Sequence, residues 1–589
     1  MINITINGKT VEVEPGTSIL DAAKKVDIKI PTLCYNPDLP PWASCGICIV
    51  RMAGSAKMVR ACITACEDKM NIITHDPEII AVRRTVLELI LSNHPNDCLQ
   101  CPRNQSCELQ DLAADFGLRE APFAKVLRDL PIDDSNPAIV LCPEKCIRCG
   151  RCVKVCQEVQ NVWALEFLGR GFKGKIASAA DTPLGESPCI KCGQCAAHCP
   201  VGAIYERDDT VKVWNALQNP ELHSVVQIAP AVRVALAEEF GLEPGTLFTK
   251  KIYAALRRLG FKTVFDTNFS ADLTIMEEGS ELVRRLNDKG SHIPLITSCC
   301  PAWVDYMEKY YSDMIPNFST AKSPQQMMGA MIKAYWAAKA GITPDKVYSV
   351  SVMPCTAKKW ETHRNDDMKS AAKSLGADIG YDVDIVITTR ELARMIKQSG
   401  IEILKLPDEE ADSPLGPYTG AGTIFGATGG VMEAAVRSAY YLVTKKELAD
   451  VNFKPARGLD GVKEAEVDFG NGTKIRIAVA HQMGNIAAVL DSIRAARDAG
   501  KEPPYQFVEV MACRGGCIAG GGQPYGCTDD IRKQRTAGLY TDDEKSQLRC
   551  SHQNPLISQV YKEFLGEPGG HKAHELLHTK YVERSLYIK

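Results

Sequence analysis

The chain has 589 residues, a formal charge of −3 and 45% apolar residues. At about 150 residues per domain, that is enough for roughly four domains with substantial cores. The near-neutral charge gives no support for binding nucleic acid or an anionic membrane, and no apolar run approaches the ~18 residues of a bilayer span. The N-terminal MINITINGK lacks the basic and apolar regions of a secretion signal, so a soluble cytoplasmic protein is expected.

The 24 cysteines decide the class. A reducing cytoplasm disfavours disulfides. Moreover, 17 of the 24 fall before residue 200, mostly in short CxxC-type groups, and none lies between Cys199 and Cys299. Metal ligation is the better reading.

Residues 2–14 alternate apolar and polar around Asn7-Gly8, a strong hairpin signal, and Thr17 or Ser18 can cap a helix over 19–26. Two strands, a helix and then Cys34 read as a β-grasp ferredoxin domain over 1–77. Its Cys34, Cys45, Cys48 and Cys62 can hold one [2Fe–2S] cluster, although zinc would use the same four thiolates. Residues 78–117 read as helical, with apolar positions at Ile80, Val82, Val86, Leu87, Ile90 and Leu91. His94, Cys98, Cys101 and Cys107 lie there in H-x3-C-x2-C-x5-C spacing. A lone helical His is usually a core residue; three cysteines at this spacing reverse that expectation. Over 137–210, Cys146, Cys149, Cys152 and Cys156 are spaced C-x2-C-x2-C-x3-C, and Cys189, Cys192, Cys195 and Cys199 repeat the pattern before Pro200. This is the two-cluster bacterial ferredoxin pattern, in which each fourth cysteine crosses to the other cluster. It pairs Cys199 with the first group and Cys156 with the second. Cys66, Cys142, Cys527 and Cys550 fit no motif and read as packed thiols.

From residue 222 to 525, strand-like runs at 225–228, 295–297, 347–353, 385–388, 475–480 and 507–511 alternate with amphipathic helices. The expectation is an α/β domain with a mostly parallel sheet, within an α+β multidomain chain. A segment over 526–589 follows, with Ser551-His552-Gln553-Asn554-Pro555 and His578 read as structural. Three segments stand out: Thr297-Ser298-Cys299-Cys300-Pro301-Ala302-Trp303, Met353-Pro354-Cys355-Thr356-Ala357-Lys358-Lys359-Trp360-Glu361, and the run from Glu509 through Met511, Cys513, Gly515-Gly516 and Cys517 to Gln523-Pro524. Cys300, Cys355, Cys513 and Cys517 fall at or near strand ends, where loops of a parallel sheet converge on sites.

With these segments in order behind this ferredoxin array, the chain resembles the [FeFe]-hydrogenase catalytic subunits over essentially its whole length. The first two modules also resemble those of complex I's large iron–sulfur subunit. The resemblance implies reversible oxidation of H₂ at an H-cluster, a [4Fe–4S] cluster bridged to a di-iron unit carrying CO, cyanide and a dithiolate. It implies one accessory [2Fe–2S] and three accessory [4Fe–4S] clusters, one of them ligated by His94. Cys300, Cys355, Cys513 and Cys517 would hold the H-cluster, with Lys358 donating to a cyanide. Met353, Pro354, Gln325, Ser323, Met511, Ala229 and Pro230 would line the pocket, and the glycines would let backbone approach the cofactor. Cys299 would relay protons through Glu278, Ser319 and Glu281, with Arg285 at the outer end. Where some relatives have Ser, this chain has Ala231, which removes one hydroxyl donor. Expected partners are maturation enzymes and either ferredoxin or a flavin-containing NAD(P)-linked subunit of a hetero-oligomer, because no GxGxxG fingerprint is present. Two rival readings are a complex I-like electron-transfer subunit, which would lack the Cys300/Cys355/Cys513/Cys517 set, and a non-turnover H₂ sensor, which would usually lack Cys299.

Overall fold

A computed structural model describes residues 1–588 apart from 289, 470, 471 and 473. The chain forms two compact units. The first comprises 1–159, 163–187 and 198–205; the second comprises 160–162, 188–197 and 206–589.

The first unit opens with β1 (Ile2–Ile6) and β2 (Lys9–Val13), then α1 (Ile19–Lys24), β3 (Ile49–Met52), β4 (Met58–Arg60) and β5 (Asn71–Ile73). The sheet order is β2-β1-β5-β3-β4. The hairpin is antiparallel in the register Ile2↔Val13 to Ile6↔Lys9, while β1 and β5 run parallel. The alternation read in residues 2–14 puts Ile4, Ile6, Val11 and Val13 into the core under α1. Ser18 is the cap: its Oγ accepts from the Asp21 N–H at 3.1 Å.

The stretch 78–117 is not one helix. It is α2 (Pro77–Ser92), a loop carrying the cysteines, and α3 (Glu108–Asp115). Of the expected face, α2 buries Leu87 fully and Val86, Ile90 and Leu91 in part. Ile80 and Val82 are exposed, whereas Ile79, Arg83 and Leu87 are buried. Arg83 is drawn inward because its Nη2 donates to the Ile49 carbonyl at 2.6 Å, a bond that no apolar periodicity can register.

The second unit contains β6 (His223–Ile228), β7 (Thr263–Asp266), β8 (Leu295–Ile296), β9 (Val347–Met353), β10 (Ile385–Thr388), β11 (Val462–Asp468), β12 (Lys474–His481) and β13 (Phe507–Met511). They make two four-stranded sheets, β7-β6-β9-β10 and β8-β13-β12-β11. Every pairing is parallel except β11 with β12. The strands β6 and β9 are buried almost end to end, as a parallel sheet covered on both faces requires. A 21-residue helix, α4 (Thr267–Asn287), is capped by Asp266, whose side chain accepts from the Asn268 N–H. The segments that follow β8, β9 and β13 carry the expected site residues. No helix of the described residues is long and apolar enough to cross a membrane.

Candidate active site

One cavity of the second unit, with an empty volume of ≈ 810 Å³, is lined by Cys299, Cys300, Cys355, Cys513 and Cys517. Ala229, Pro230, Gln325, Met353, Pro354, Lys358 and Met511 complete much of its wall. Thus three strand-end segments, far apart in sequence, bring four of these cysteines to one place with a fifth beside them. Cys300 caps the helix 301–310, which has Pro301 in its first turn. The N–H groups of Ala302, Trp303 and Ala512 point at its sulfur. The sulfur of Cys355 receives the Lys358 and Ala357 N–H groups, and Cys513 receives Gln194 Nε2 at 3.1 Å.

Burial pushes all four thiols up, reinforced by the neighbouring cysteines at Cys355 (to about 12), Cys513 and Cys517 and opposed at Cys300 by the nearby N–H groups and Lys358. Four thiols that cannot ionise alone, each surrounded by others and three of them by N–H donors, match a site completed by a multiply charged metal cluster, which takes the protons' place. The cavity is otherwise apolar enough to exclude water, and its polar fittings are few. Lys358 Nζ donates to Glu361 Oε2 at 2.8 Å and to the Cys299 carbonyl at 3.1 Å. Burial alone would lower this ammonium's pKa, but Glu361 outweighs it and holds it above the ordinary value. Glu361 also accepts from Gln325 Nε2 at 3.0 Å and from Ser323 Oγ at 2.9 Å. Ser323 therefore reaches the cavity only through Glu361 and does not line it. Glu361 lies inside a quoted motif, yet the sequence assigned it no role.

Cys299 leads away from this cavity. Burial, then the Glu278 and cysteine charges, push its thiol well above the ordinary range. Glu278 and Glu281 are 1% and 3% exposed, not an ordinary charged helix face. They sit one turn apart on α4 with Arg285 a further turn on. Burial, reinforced by the Glu281 charge, pushes Glu278 up to about 8, opposed by the nearby Ser319 hydroxyl and Ser298 N–H. Its Oε2 is buried without a hydrogen-bond partner. Ser319 Oγ donates to Glu281 Oε2 at 3.1 Å, and Arg285 grips the other oxygen through Nη2 at 2.6 Å and Nε at 3.1 Å. The C-terminal segment backs this chain, which sequence reading missed. Tyr581 Oη donates to the Ser319 carbonyl at 2.9 Å, and Thr579 N–H to that of Thr320 at 2.8 Å. His578 bridges Thr320 Oγ1 at 2.7 Å and Glu277 at 2.9 Å.

The second glycine run also has a packing task that the sequence does not show. A Cβ on Gly520 would meet the Pro354 carbonyl oxygen at 2.2 Å, one on Gly521 the Cys192 oxygen at 2.5 Å, and one on Gly522 the Thr388 side chain at 2.8 Å. They allow polypeptide to approach the loop closely. Only Gly516 and Gly520 of the two glycine runs line the cavity. Arg390 then ties the loop down through the Gly521 and Gln523 carbonyls and an ion pair with Glu206 at 2.7 Å. Gln523 Nε2 donates to the Ala231 carbonyl at 2.9 Å, anchoring the 229–231 segment.

In the first unit, Cys34, Cys45, Cys48 and Cys62 converge: Cys34 contacts Cys45 and Cys62, and the Cys48 and Cys62 sulfurs are 3.4 Å apart. Nε2 of His94 is buried with no partner, while Nδ1 lies 3.2 Å from Asn96 Oδ1, which accepts its N–H in the tautomer that keeps the Nε2 lone pair free. That leaves the outer nitrogen available to a metal. Cys199 lies close enough to Cys146 and Cys149 for its charge to raise both. Cys66 and Cys142 are packed thiols, whereas Cys527 is only half-buried, beside Arg535.

Five family models match the chain. The description "Iron only hydrogenase large subunit, C-terminal domain" covers 222–521 and "Iron hydrogenase small subunit" covers 529–584. "NADH-ubiquinone oxidoreductase-G iron-sulfur binding region" covers 83–122, "2Fe-2S iron-sulfur cluster binding domain" 1–77 and "4Fe-4S dicluster domain" 145–203. The chain is 47% identical to the NADP-reducing hydrogenase subunit HndD of Solidesulfovibrio fructosivorans, over 99% of both chains. It is 40% identical to iron hydrogenase 1 of Clostridium pasteurianum, over 99% of this chain and 100% of that one. A solved structure of a variant of the [FeFe]-hydrogenase HydA1 from Chlamydomonas reinhardtii aligns with a TM-score of 0.56 at 43% identity, covering 64% of this chain and 100% of that one.

Proposed function

Because the chain belongs to the iron-only, or [FeFe]-, hydrogenase family, we propose that Cys300, Cys355, Cys513 and Cys517 hold its H-cluster and that Cys299, Glu278, Ser319 and Glu281 carry its protons. The chain is a hydrogenase catalytic subunit, an oxidoreductase acting on H₂, with iron–sulfur cofactors in addition to the H-cluster. The observation that carries the site assignment is the convergence of four cysteines, two buried and two half-buried, on one apolar cavity, with a fifth facing a buried carboxyl.

When bound, the H-cluster supplies the iron centre at which H₂ is cleaved heterolytically and a route for electrons. The residues do the rest. Lys358, held by Glu361, presents a fixed ammonium to an anionic ligand in a dry site. Gln325, Met353, Pro354, Met511, Ala229 and Pro230 shape the wall and exclude water. In the oxidation direction, Cys299 Sγ passes a proton to Glu278 Oε2, whose raised pKa lets it hold that proton near neutral pH. The Ser319 hydroxyl then carries it to Glu281, and Arg285 steadies the outgoing carboxylate. Cys299→Ser tests the assignment: it should keep iron content and infrared bands while severely reducing turnover, because a serine hydroxyl is far less acidic. Near wild-type H₂ evolution in that variant would remove Cys299 from the path.

We assign five modules, 1–77, 78–117, 137–210, 222–525 and 526–589, and four accessory clusters. Cys34, Cys45, Cys48 and Cys62 take the [2Fe–2S] cluster; His94, Cys98, Cys101 and Cys107 take a [4Fe–4S] cluster. Cys146, Cys149, Cys152 and Cys199, and Cys189, Cys192, Cys195 and Cys156, take the remaining two, for about 20 irons per matured chain. The name of the 47%-identical relative and the absence of a nucleotide fingerprint in the sequence support a cytoplasmic hetero-oligomer in which a flavin subunit, ferredoxin or both exchange the electrons. Purification from the native host, assayed with NAD(P)H and with ferredoxin, tests this. A lone catalytic chain active with ferredoxin and indifferent to NAD(P)H would exclude the complex.

A further inference from the structure

Cys550, one of the thiols without a motif, is buried, and it is not alone. We propose that Glu447, Cys550 and His552 form a site for one zinc-class divalent cation, separate from the hydrogenase machinery, which staples the C-terminal segment to the end of the helix 430–444. The three ligand atoms all lie within 4.8 Å of one another. His552 Nε2 is 3.2 Å from each Glu447 carboxylate oxygen. Zn–N and Zn–O bonds of about 2.0–2.2 Å at a tetrahedral angle put N and O about 3.3–3.4 Å apart, so this pair already has the spacing of two ligands on one ion.

The groups behind the ligands support the same reading. His552 Nδ1 lies 3.1 Å from the buried Ser438 hydroxyl, which takes the N–H on that side and turns the Nε2 lone pair toward Glu447 and Cys550. The ring is stacked on Tyr441, with centroids 4.2 Å apart and planes 4° apart, so its orientation is held. Gln553 ties the other two ligands together: its Nε2 donates to Glu447 Oε2 at 3.1 Å, and its Oε1 accepts from the Cys550 backbone N–H at 3.2 Å. One soft thiolate, one imidazole and one carboxylate select zinc over calcium or magnesium. Because Glu447 is exposed, the ion has an entry path and water can fill the fourth position.

The test uses anaerobic holoenzyme of the full chain, equilibrated with zinc chloride, desalted and analysed for zinc and iron by mass spectrometry. Wild type should retain about one zinc per chain more than Cys550→Ala or Glu447→Ala, with equal iron content and H₂ uptake in all three. Zinc-edge X-ray absorption should show a single sulfur at about 2.3 Å beside lighter ligands. Equal zinc in wild type and both variants would overturn the site, as would a zinc spectrum with no sulfur or with four. If Cys550→Ala also loses iron through misfolding, the exposed Glu447→Ala change decides by itself: unchanged zinc retention there overturns the proposal.

Discussion

Glu278→Gln probes the relay most closely, because the structure sets both the pH at which it acts and the size of the effect. Burial and the neighbouring Glu281 move this carboxyl from its ordinary 4.5 to about 8, which disfavours its ionised form by about 5 kcal/mol. In wild type about nine-tenths of the groups are protonated at pH 7 and about one-tenth at pH 9. H₂ evolution, which needs Glu278 as donor, should therefore fall about tenfold per unit above about pH 8, whereas H₂ oxidation should rise toward a plateau there. Turnover with excess artificial electron donor or acceptor, measured from about pH 6 to about pH 10, reads both limbs. Glutamine cannot exchange the proton, so the variant should lose about 10²–10⁴ in rate and the shared midpoint with it. Glu281→Gln, by removing a neighbouring charge, should move the midpoint to lower pH. The same shift has a stability sign: the folded state keeps a proton that the unfolded chain releases near 4.5. That contribution is complete below about pH 4.5 and lost as pH rises through about 8, so wild type should lose stability relative to Glu278→Gln over this window. A wild-type enzyme with no midpoint near 8 in either direction, or a Gln variant that keeps it, would refute this reasoning.

Other expectations follow from the walls of the site. Lys358→Met leaves Glu361 buried without its cation and should cost about 3–5 kcal/mol in thermal stability, together with H-cluster infrared intensity; an unchanged melting temperature would refute the pairing. Gly520→Ala forces a Cβ to within 2.2 Å of the Pro354 oxygen and should lower stability by about 1–3 kcal/mol and reduce H-cluster loading, measured as infrared intensity per iron. Tyr581→Phe and His578→Gln should slow turnover several-fold and alter the pH profile without loss of iron, because they slacken the backing of Ser319 and Thr320. Unaltered profiles would make that segment merely structural.

What was legible in the sequence was what has a local pattern. The hairpin of residues 2–13, the strands 347–353 and 507–511 and the cysteine spacings all follow from alternation, apolar runs or ligand spacing within a few residues. In the second unit two strands were missed. Thr263–Asp266 is only four residues long, and Val462–Asp468 buries two non-adjacent residues among charges, as an antiparallel edge strand does. The buried face of 77–92 was read only in part, because Arg83 enters the interior for a carbonyl 34 residues earlier. Likewise Glu361, Tyr581 and His578 act on partners distant in the chain or already assigned to other roles. The glycine run was noticed, but its reason, contact with Pro354, Cys192 and Thr388, exists only in three dimensions.

The central claim, that the cavity framed by Cys300, Cys355, Cys513 and Cys517 holds a working H-cluster, is tested most directly by infrared spectroscopy of the chain produced together with the family's maturation enzymes. Bands from CO and cyanide should be present, change when H₂ is admitted, and vanish in a Cys355→Ala variant that keeps its accessory iron. A matured chain with iron for the sulfur clusters alone and no such bands would contradict the account.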